Sequence, residues 1–303
     1  MESRKTTRTR RTLVAAVIGG LLVLAVAVLA VVHLRPAAGQ SAFGSPTGHP
    51  ARAAGAQTRT PPANPSDPSA TADPRSATPA PPARPLTGKV IGIDPGHNGR
   101  NGTDPAYIDH LIWNGRESET CDTTGTETDG GYTEAQFNFN VARYLRADLL
   151  GAGARVVMTR TSNDGIGPCV NRRAKILNDA HANVAIDIHA DGGPPWGRGF
   201  TVLEPVADGP NDNVIASSEQ FGHDIRQEML RATPMPVSDY YGQGGVQFRD
   251  DLAGLNLTTV PKILIECGNM RNGVDAQLLT SAAFQKRLAT AFTAAITRFL
   301  THG

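Results

Sequence analysis

Residues 90–93 form an apolar run that is closed at once by Asp94-Pro95-Gly96-His97. The run has the length of a buried strand, and Pro95 with Gly96 ends it in a tight turn. The same pattern returns at 184–193, where apolar residues lead to His189 and a Gly192-Gly193 turn, and at 261–269, where Ile263-Leu264-Ile265 leads to Glu266. Residues 155–158 and 200–203 are two further strand-like runs. Helical patterns lie between them. The strongest covers 133–150, where Phe137, Val141, Leu145 and Leu149 recur every four residues as one apolar stripe. Thr133 with Gln136 fits a capping box, and Gly151 and Gly153 mark the stop. Further helices are expected over about 169–180, 214–231 and 282–300. Strands alternating with helices predict an α/β fold: one domain with a twisted, mostly parallel sheet and helices on both faces.

That domain begins only at about residue 88. Residues 1–12 are polar and basic, and 13–34 are almost wholly apolar, with His33 the one ionisable side chain. At about 1.5 Å per residue this run spans a hydrocarbon core of about 30 Å. The basic flank stays cytoplasmic, which sends the rest of the chain outside. Two readings remain open: an uncleaved transmembrane signal-anchor, which the length favours, or a signal peptide cleaved near Pro36-Ala37-Ala38-Gly39. Residues 35–87 are rich in Pro, Ala, Ser, Thr and Gly and nearly free of large apolar residues. Such a segment buries too little surface to offset its ordering entropy and reads as a disordered linker. Residues 88–303 remain as the catalytic domain, expected to be monomeric. A formal net charge of +1 and sparse aromatic residues give no case for nucleic acid as a partner.

A single histidine after a turn is usually a surface residue. Two histidines ending strands of one parallel sheet reach the same sheet edge, where open α/β sheets place their ligand sites. His97 and His189 are therefore candidate metal ligands. Catalytic zinc takes three protein ligands and keeps one position open. Glu134, in the first turn of the capped helix, is the candidate third ligand; its alternative is an acid favoured there by the helix dipole. Glu266 is a carboxylate beside a buried strand, a placement rare without a partner or a task. Near an activated water it would be a general base.

Taken in order, Ile93-Asp94-Pro95-Gly96-His97, Glu134 opening a long helix, Val157-Met158-Thr159-Arg160, Asn171-Arg172-Arg173-Ala174, Ile188-His189-Ala190 and Leu264-Ile265-Glu266-Cys267-Gly268-Asn269 resemble the zinc-dependent N-acetylmuramoyl-L-alanine amidases, the AmiC-like cell-wall hydrolases. His189-Ala190-Asp191-Gly192-Gly193 with Arg198-Gly199-Phe200, and Asp251-Leu252-Ala253-Gly254-Leu255-Asn256, are similar to the actinobacterial branch. The resemblance implies one Zn2+ held by His97, Glu134 and His189, with Glu266 as the catalytic acid and base. It implies hydrolysis of the amide between N-acetylmuramic acid and the L-alanine of the stem peptide, in peptidoglycan or soluble muropeptides. The sequence departs from the family pattern at Asn98, Asp187 and Cys267. Asp187 reads either as a carboxylate orienting an imidazole or as a sheet-edge surface acid; Cys267 reads as a small buried hydrophobe. Another exported zinc hydrolase, a peptidase or deacetylase, would use the same residues. A non-catalytic envelope-binding protein would have lost one of them.

An exported chain with three cysteines allows one disulfide. Cys121 and Cys169 lie in loops, and the branch resemblance implies that they pair. His110, His181 and His223 lack the strand-end setting and are expected at the surface. Arg249 reads as a solvated loop charge or as a contact for muropeptide carboxylates. Trp113 and Trp196 flank the expected site edge, and the polar stretch 98–132 is expected to cover or line the cleft.

Overall fold

The computed structural model describes residues 84–302. The basic segment 1–12, the apolar run 13–34 and the linker up to residue 83 lie outside the described residues. Among the described residues no helix is long and apolar enough to cross a membrane. Composition puts residues 84–87 in the linker, but Leu86 is fully buried in the main core, and its N–H donates to Ala152 O at 3.0 Å. One apolar residue among prolines carries no periodic signal, so the boundary reads a few residues late.

The strands are β1 (Val90–Pro95), β2 (Leu111–Trp113), β3 (Ser118–Thr120), β4 (Arg155–Met158), β5 (Val184–Asp191), β6 (Thr201–Pro205), β7 (Val246–Arg249) and β8 (Lys262–Asn269). The helices are α1 (Pro105–Ile108), α2 (Glu134–Gly151), α3 (Val170–Asp179), α4 (Ile215–Ala232), α5 (Ala253–Asn256), α6 (Gly273–Leu279) and α7 (Ala282–His302). Six strands form the central sheet in the order β4-β1-β5-β8-β6-β7, and β2 with β3 form a separate antiparallel hairpin. From β4 to β8 the pairing is parallel; β6 runs antiparallel to β8, and β7 runs parallel to β6. The sheet is thus mostly parallel, as expected.

Side chains alternate between the two faces of a strand, and here the two faces differ in kind. Ile91, Ile93, Ile186, Ile188, Ile263 and Ile265 point into the main core beneath α2, α4 and α7. The opposite face packs Ala185 against Leu177 of α3, and Leu203 and Leu264 against Leu255 of α5. Polar residues of this second face, described below, carry the site.

Helix α2 packs on the main-core face, and its first turn opens at the site. Phe137, Val141, Leu145 and Leu149 are fully buried, each contributing roughly 1.5–3 kcal/mol of transfer free energy. The Thr133 hydroxyl accepts from Gln136 N at 3.3 Å and caps the helix, which fixes where Glu134 sits. The helix ends at Gly151, before Gly153 turns the chain at φ 95°. The hairpin, β7, α5 and α6 are absent from the sequence reading, because elements of three to seven residues are too short to show a period.

Candidate active site

The turn after β1 delivers His97. Its backbone is left-handed at φ 57°, uncommon for a residue with a Cβ and sustained only where neighbours enforce it. Two buried arginines do so. Arg160 donates to Pro95 O (2.8 Å) and Gly96 O (3.1 Å), and Arg173 donates to Pro95 O and His97 O, both at 2.8 Å. Gly96 is required for a different reason: a Cβ there would overlap the His189 ring.

His189 and Glu266 are not at the very ends of their strands. They lie directly opposite each other across β5 and β8, after which the register slips. Parity puts both on the α3/α5 face. Bulges beside a site re-aim side chains, and this one follows the pair immediately.

Glu134 opens α2 and joins the two histidines. Its Oε2 lies 3.2 Å from His97 Nε2, and its Oε1 lies 2.8 Å from His189 Nδ1. Thr126 N and Ala190 N donate to the same carboxylate at 3.0 and 3.3 Å. The imidazole rings meet edge to face, with centroids 4.8 Å apart. One ligand atom from each of the three residues lies within 4.8 Å of the others. The three sequence-derived ligand candidates are therefore one cluster, with Glu266 on the adjoining strand.

Each histidine has a second carboxylate behind it. His97 Nδ1 lies 3.1 Å from Asp122 Oδ1 and 3.2 Å from Thr123 O, two acceptors that place a proton on Nδ1, while Nε2 faces Glu134. His189 Nε2 lies 3.3 Å from Asp187 Oδ1. Burial opposes the charged form of both rings. Glu134 and Asp122 outweigh it at His97, raising it to about 9. Asp187 and Glu134 outweigh it at His189, which lies well above the ordinary histidine value. Burial also opposes ionisation of Glu134, but the two imidazoles hold it well below the usual carboxylate range. Burial pushes Glu266 the other way, up to about 8, and its Oε2 is enclosed without a hydrogen-bond partner.

This donor set fits a divalent metal. Two imidazole nitrogens and a carboxylate converge where cations are favoured, and an unpartnered carboxylate oxygen stands alongside. Three protein ligands with one open position is the arrangement of catalytic zinc. His110, Cys121 and Cys169 also cluster, but those cysteines are joined as the expected disulfide, with Cα atoms 4.5 Å apart. Cys267 is a free, buried cysteine on the core face of β8.

Two openings flank the cluster. A cavity of about 190 Å³ beside His97 and His189 is walled by Glu119, Leu252, Leu255 and Leu264. A groove of about 340 Å³ beside Glu266 is lined by Asp191, Tyr240, Tyr241 and Arg249. Arg249 lies on β7, where it donates to Asp251 (2.6 and 2.8 Å) and to Tyr241 OH (2.7 Å). Of the remaining candidates, His110, His181 and His223 are all exposed, as expected, with His181 in a turn. Trp113, on β2, and Trp196 are exposed.

The stretch 98–132 does wall the site, through Glu119 and Asp122. Asp122 is the main residue missed from sequence. It sits in a loop with no period, next to Cys121, whose bridge to Cys169 was the one available pointer to it. Asn98, where the sequence departs from the family pattern, donates to Asp122 Oδ2 at 3.3 Å.

The sequence and the fold have clear counterparts. The Amidase_3 family model, described as N-acetylmuramoyl-L-alanine amidase, matches residues 91–298. N-acetylmuramoyl-L-alanine amidase Rv3717 of Mycobacterium tuberculosis is 40% identical over 228 residues, covering 74% of this chain and 90% of that protein. The germination-specific N-acetylmuramoyl-L-alanine amidase of Bacillus subtilis is 24% identical over 231 residues, covering 72% and 82%. Among solved structures, the N-acetylmuramyl-L-alanine amidase Ami1 of Mycobacterium smegmatis superimposes with a TM-score of 0.68 at 38% identity, covering 72% of this chain and 99% of that one. The amidase AmiC2 of Nostoc punctiforme shares the fold, with a TM-score of 0.53 at 21% identity over 72% and 98% of the two chains. The ordered motifs, the site they build and these matches lead to one conclusion: the chain belongs to the N-acetylmuramoyl-L-alanine amidase family.

Proposed function

We propose that the protein is a zinc-dependent amidase that hydrolyses the bond between the lactyl group of N-acetylmuramic acid and the L-alanine of the stem peptide. The observation that carries this reading is the convergence of His97, Glu134 and His189, with Glu266 opposite His189, in a chain of this family. His97 Nε2, the Glu134 carboxylate and His189 Nδ1 would hold the metal. Zinc bound there supplies Lewis acidity, which lowers the pKa of water toward about 7 and polarises a carbonyl. Glu266 moves the protons. Burial favours the protonated form of its carboxyl, so a proton it takes up is held at the site for the leaving amine. It takes a proton from the attacking water and passes it to the L-alanine nitrogen as the amide breaks. The groove of Asp191, Tyr240, Tyr241 and Arg249 adjoins Glu266 and suits the departing peptide.

The proposal extends to placement. The apolar run 13–34 behind a basic cluster supports a single-pass anchor with the catalytic domain outside the cell, or a secreted domain if the run is cleaved. The disulfide is consistent with an oxidising compartment. Recovery of the intact chain from the cytosol, with neither membrane-bound nor secreted protein, would contradict this placement.

Digestion of purified peptidoglycan by the full-length protein tests the activity. New L-alanine N-termini are expected, and their release should stop on chelation and return with zinc. New D-amino-acid termini or released acetate would instead identify a peptidase or a deacetylase.

A further inference from the structure

Asp187 and His189 share one face of β5, which faces α3 and α5. The β1–β5 register puts Asp94 directly opposite Asp187. Both carboxylates are buried. Like charges facing each other across strands repel, and burial removes the solvent that would screen them. Lys262, the first residue of β8, lies between them and is 1% exposed. Its Nζ is 2.8 Å from Asp94 Oδ2 and 3.2 Å from Asp187 Oδ2. The other Asp94 oxygen accepts from Thr159 Oγ1 at 2.6 Å and from Arg173 at 3.0 Å.

Asp94 is thus fully engaged, whereas Asp187 is engaged on one side only. Its Oδ1 is buried with no well-aligned hydrogen bond, and the group it faces is His189 Nε2 at 3.3 Å. The other histidine is held in a parallel way. Arg173 binds Asp122 Oδ2 at 3.3 Å, and Asp122 Oδ1 faces His97 Nδ1. Asp94 contacts both cations. One continuous buried circuit therefore runs from His97 through Asp122, Arg173, Asp94, Lys262 and Asp187 to His189.

We propose that Lys262 is a positioning residue for His189, acting through Asp187. It holds one oxygen of the Asp187 carboxylate so that the other faces Nε2 of the imidazole. The ring then presents Nδ1 toward Glu134, as a ligand set of His97, Glu134 and His189 requires; the inference rests on that reading of the site. Carboxylates behind ligating histidines typically contribute about 10–100-fold to metal affinity. A lysine that serves only to neutralise two buried acids would not affect the metal.

The test is zinc affinity, measured by chelator competition on the full-length protein, beside the melting temperature of the metal-free protein. In Asp187→Ala, Lys262 keeps Asp94 as partner. Zinc affinity is expected to fall roughly 10–100-fold, with the metal-free melting temperature little changed. Lys262→Gln is expected to lower zinc affinity in the same direction, although Lys262 touches neither imidazole. If Lys262 acts through Asp187, the double variant binds zinc no more weakly than Asp187→Ala alone. Where Lys262→Gln does not fold, Lys262→Met, which removes the charge and keeps the side-chain length, takes its place in the comparison. Unchanged zinc affinity in Asp187→Ala or in the Lys262 variant, or a further loss in the double variant, overturns the proposal. Wild-type protein that binds no zinc, or His189→Ala that binds it as wild type does, would overturn the reading of the site itself.

Discussion

Single residues fix this site through close approach. The β1 turn passes so near β5 that position 96 has no room for a methyl group beside His189. Gly125, at φ 71°, is placed in the same way against His97 and Glu134. A misplacement of about 1 Å at a catalytic group costs on the order of 100-fold in rate. Gly96→Ala is therefore expected to lower kcat/KM for a muropeptide by at least about 100-fold, while circular dichroism shows the fold retained. Wild-type kinetics in that variant would mean that the turn does not set the His189 position. His97, His189 and Glu266 were legible in the sequence because each follows an apolar run that parity and a turn place on one face. Asp122 and Lys262 were not. Asp122 lies in an aperiodic loop, and Lys262 meets Asp94 across 168 residues of sequence, a pairing set only by strand order.

At the scale of elements, the long helices and central strands were legible because they have a period. The hairpin, β7, α5 and α6 were not, and nothing in the sequence marked β6 as antiparallel. Strand β6 also meets α4 at an unfavourable charge. Burial, and then repulsion from Glu219, raise Glu204 on β6 to about 7, above the ordinary carboxylate value of 4.5. Its carboxyl packs against Gly222 of α4. The folded state therefore holds this proton more tightly than the unfolded chain. Below about pH 4.5 both states are protonated and nothing is lost. As pH rises from 4.5 to 7 the unfolded chain ionises first, and stability falls. Glu204→Gln should therefore raise the melting temperature at pH 8, by a stabilisation on the order of 1 kcal/mol after solvent screening. The gain should vanish near pH 4. A gain that is the same at both pH values would contradict the assignment.

For the whole molecule, the Cys121–Cys169 bridge ties the segment around the site to the start of α3. It closes a separation of 48 residues that contains α2 and β4. Loss of such a bridge costs about 2–4 kcal/mol. It would also free Asp122, the residue next to Cys121, to drift from His97. Cys121→Ser/Cys169→Ser is expected to melt at a lower temperature and to bind zinc more weakly. Denatured, unreduced wild type should titrate one thiol, that of Cys267, and three thiols would refute the bridge.

The central claim is that Glu266 moves the protons at a site where His97, Glu134 and His189 hold the metal. Full-length Glu266→Gln, assayed for release of L-alanine N-termini beside its zinc content, tests it most directly. A loss of at least about 100-fold in kcat is expected, with one zinc still bound per chain. Full activity in Glu266→Gln, or loss of zinc along with activity, would contradict that division of roles.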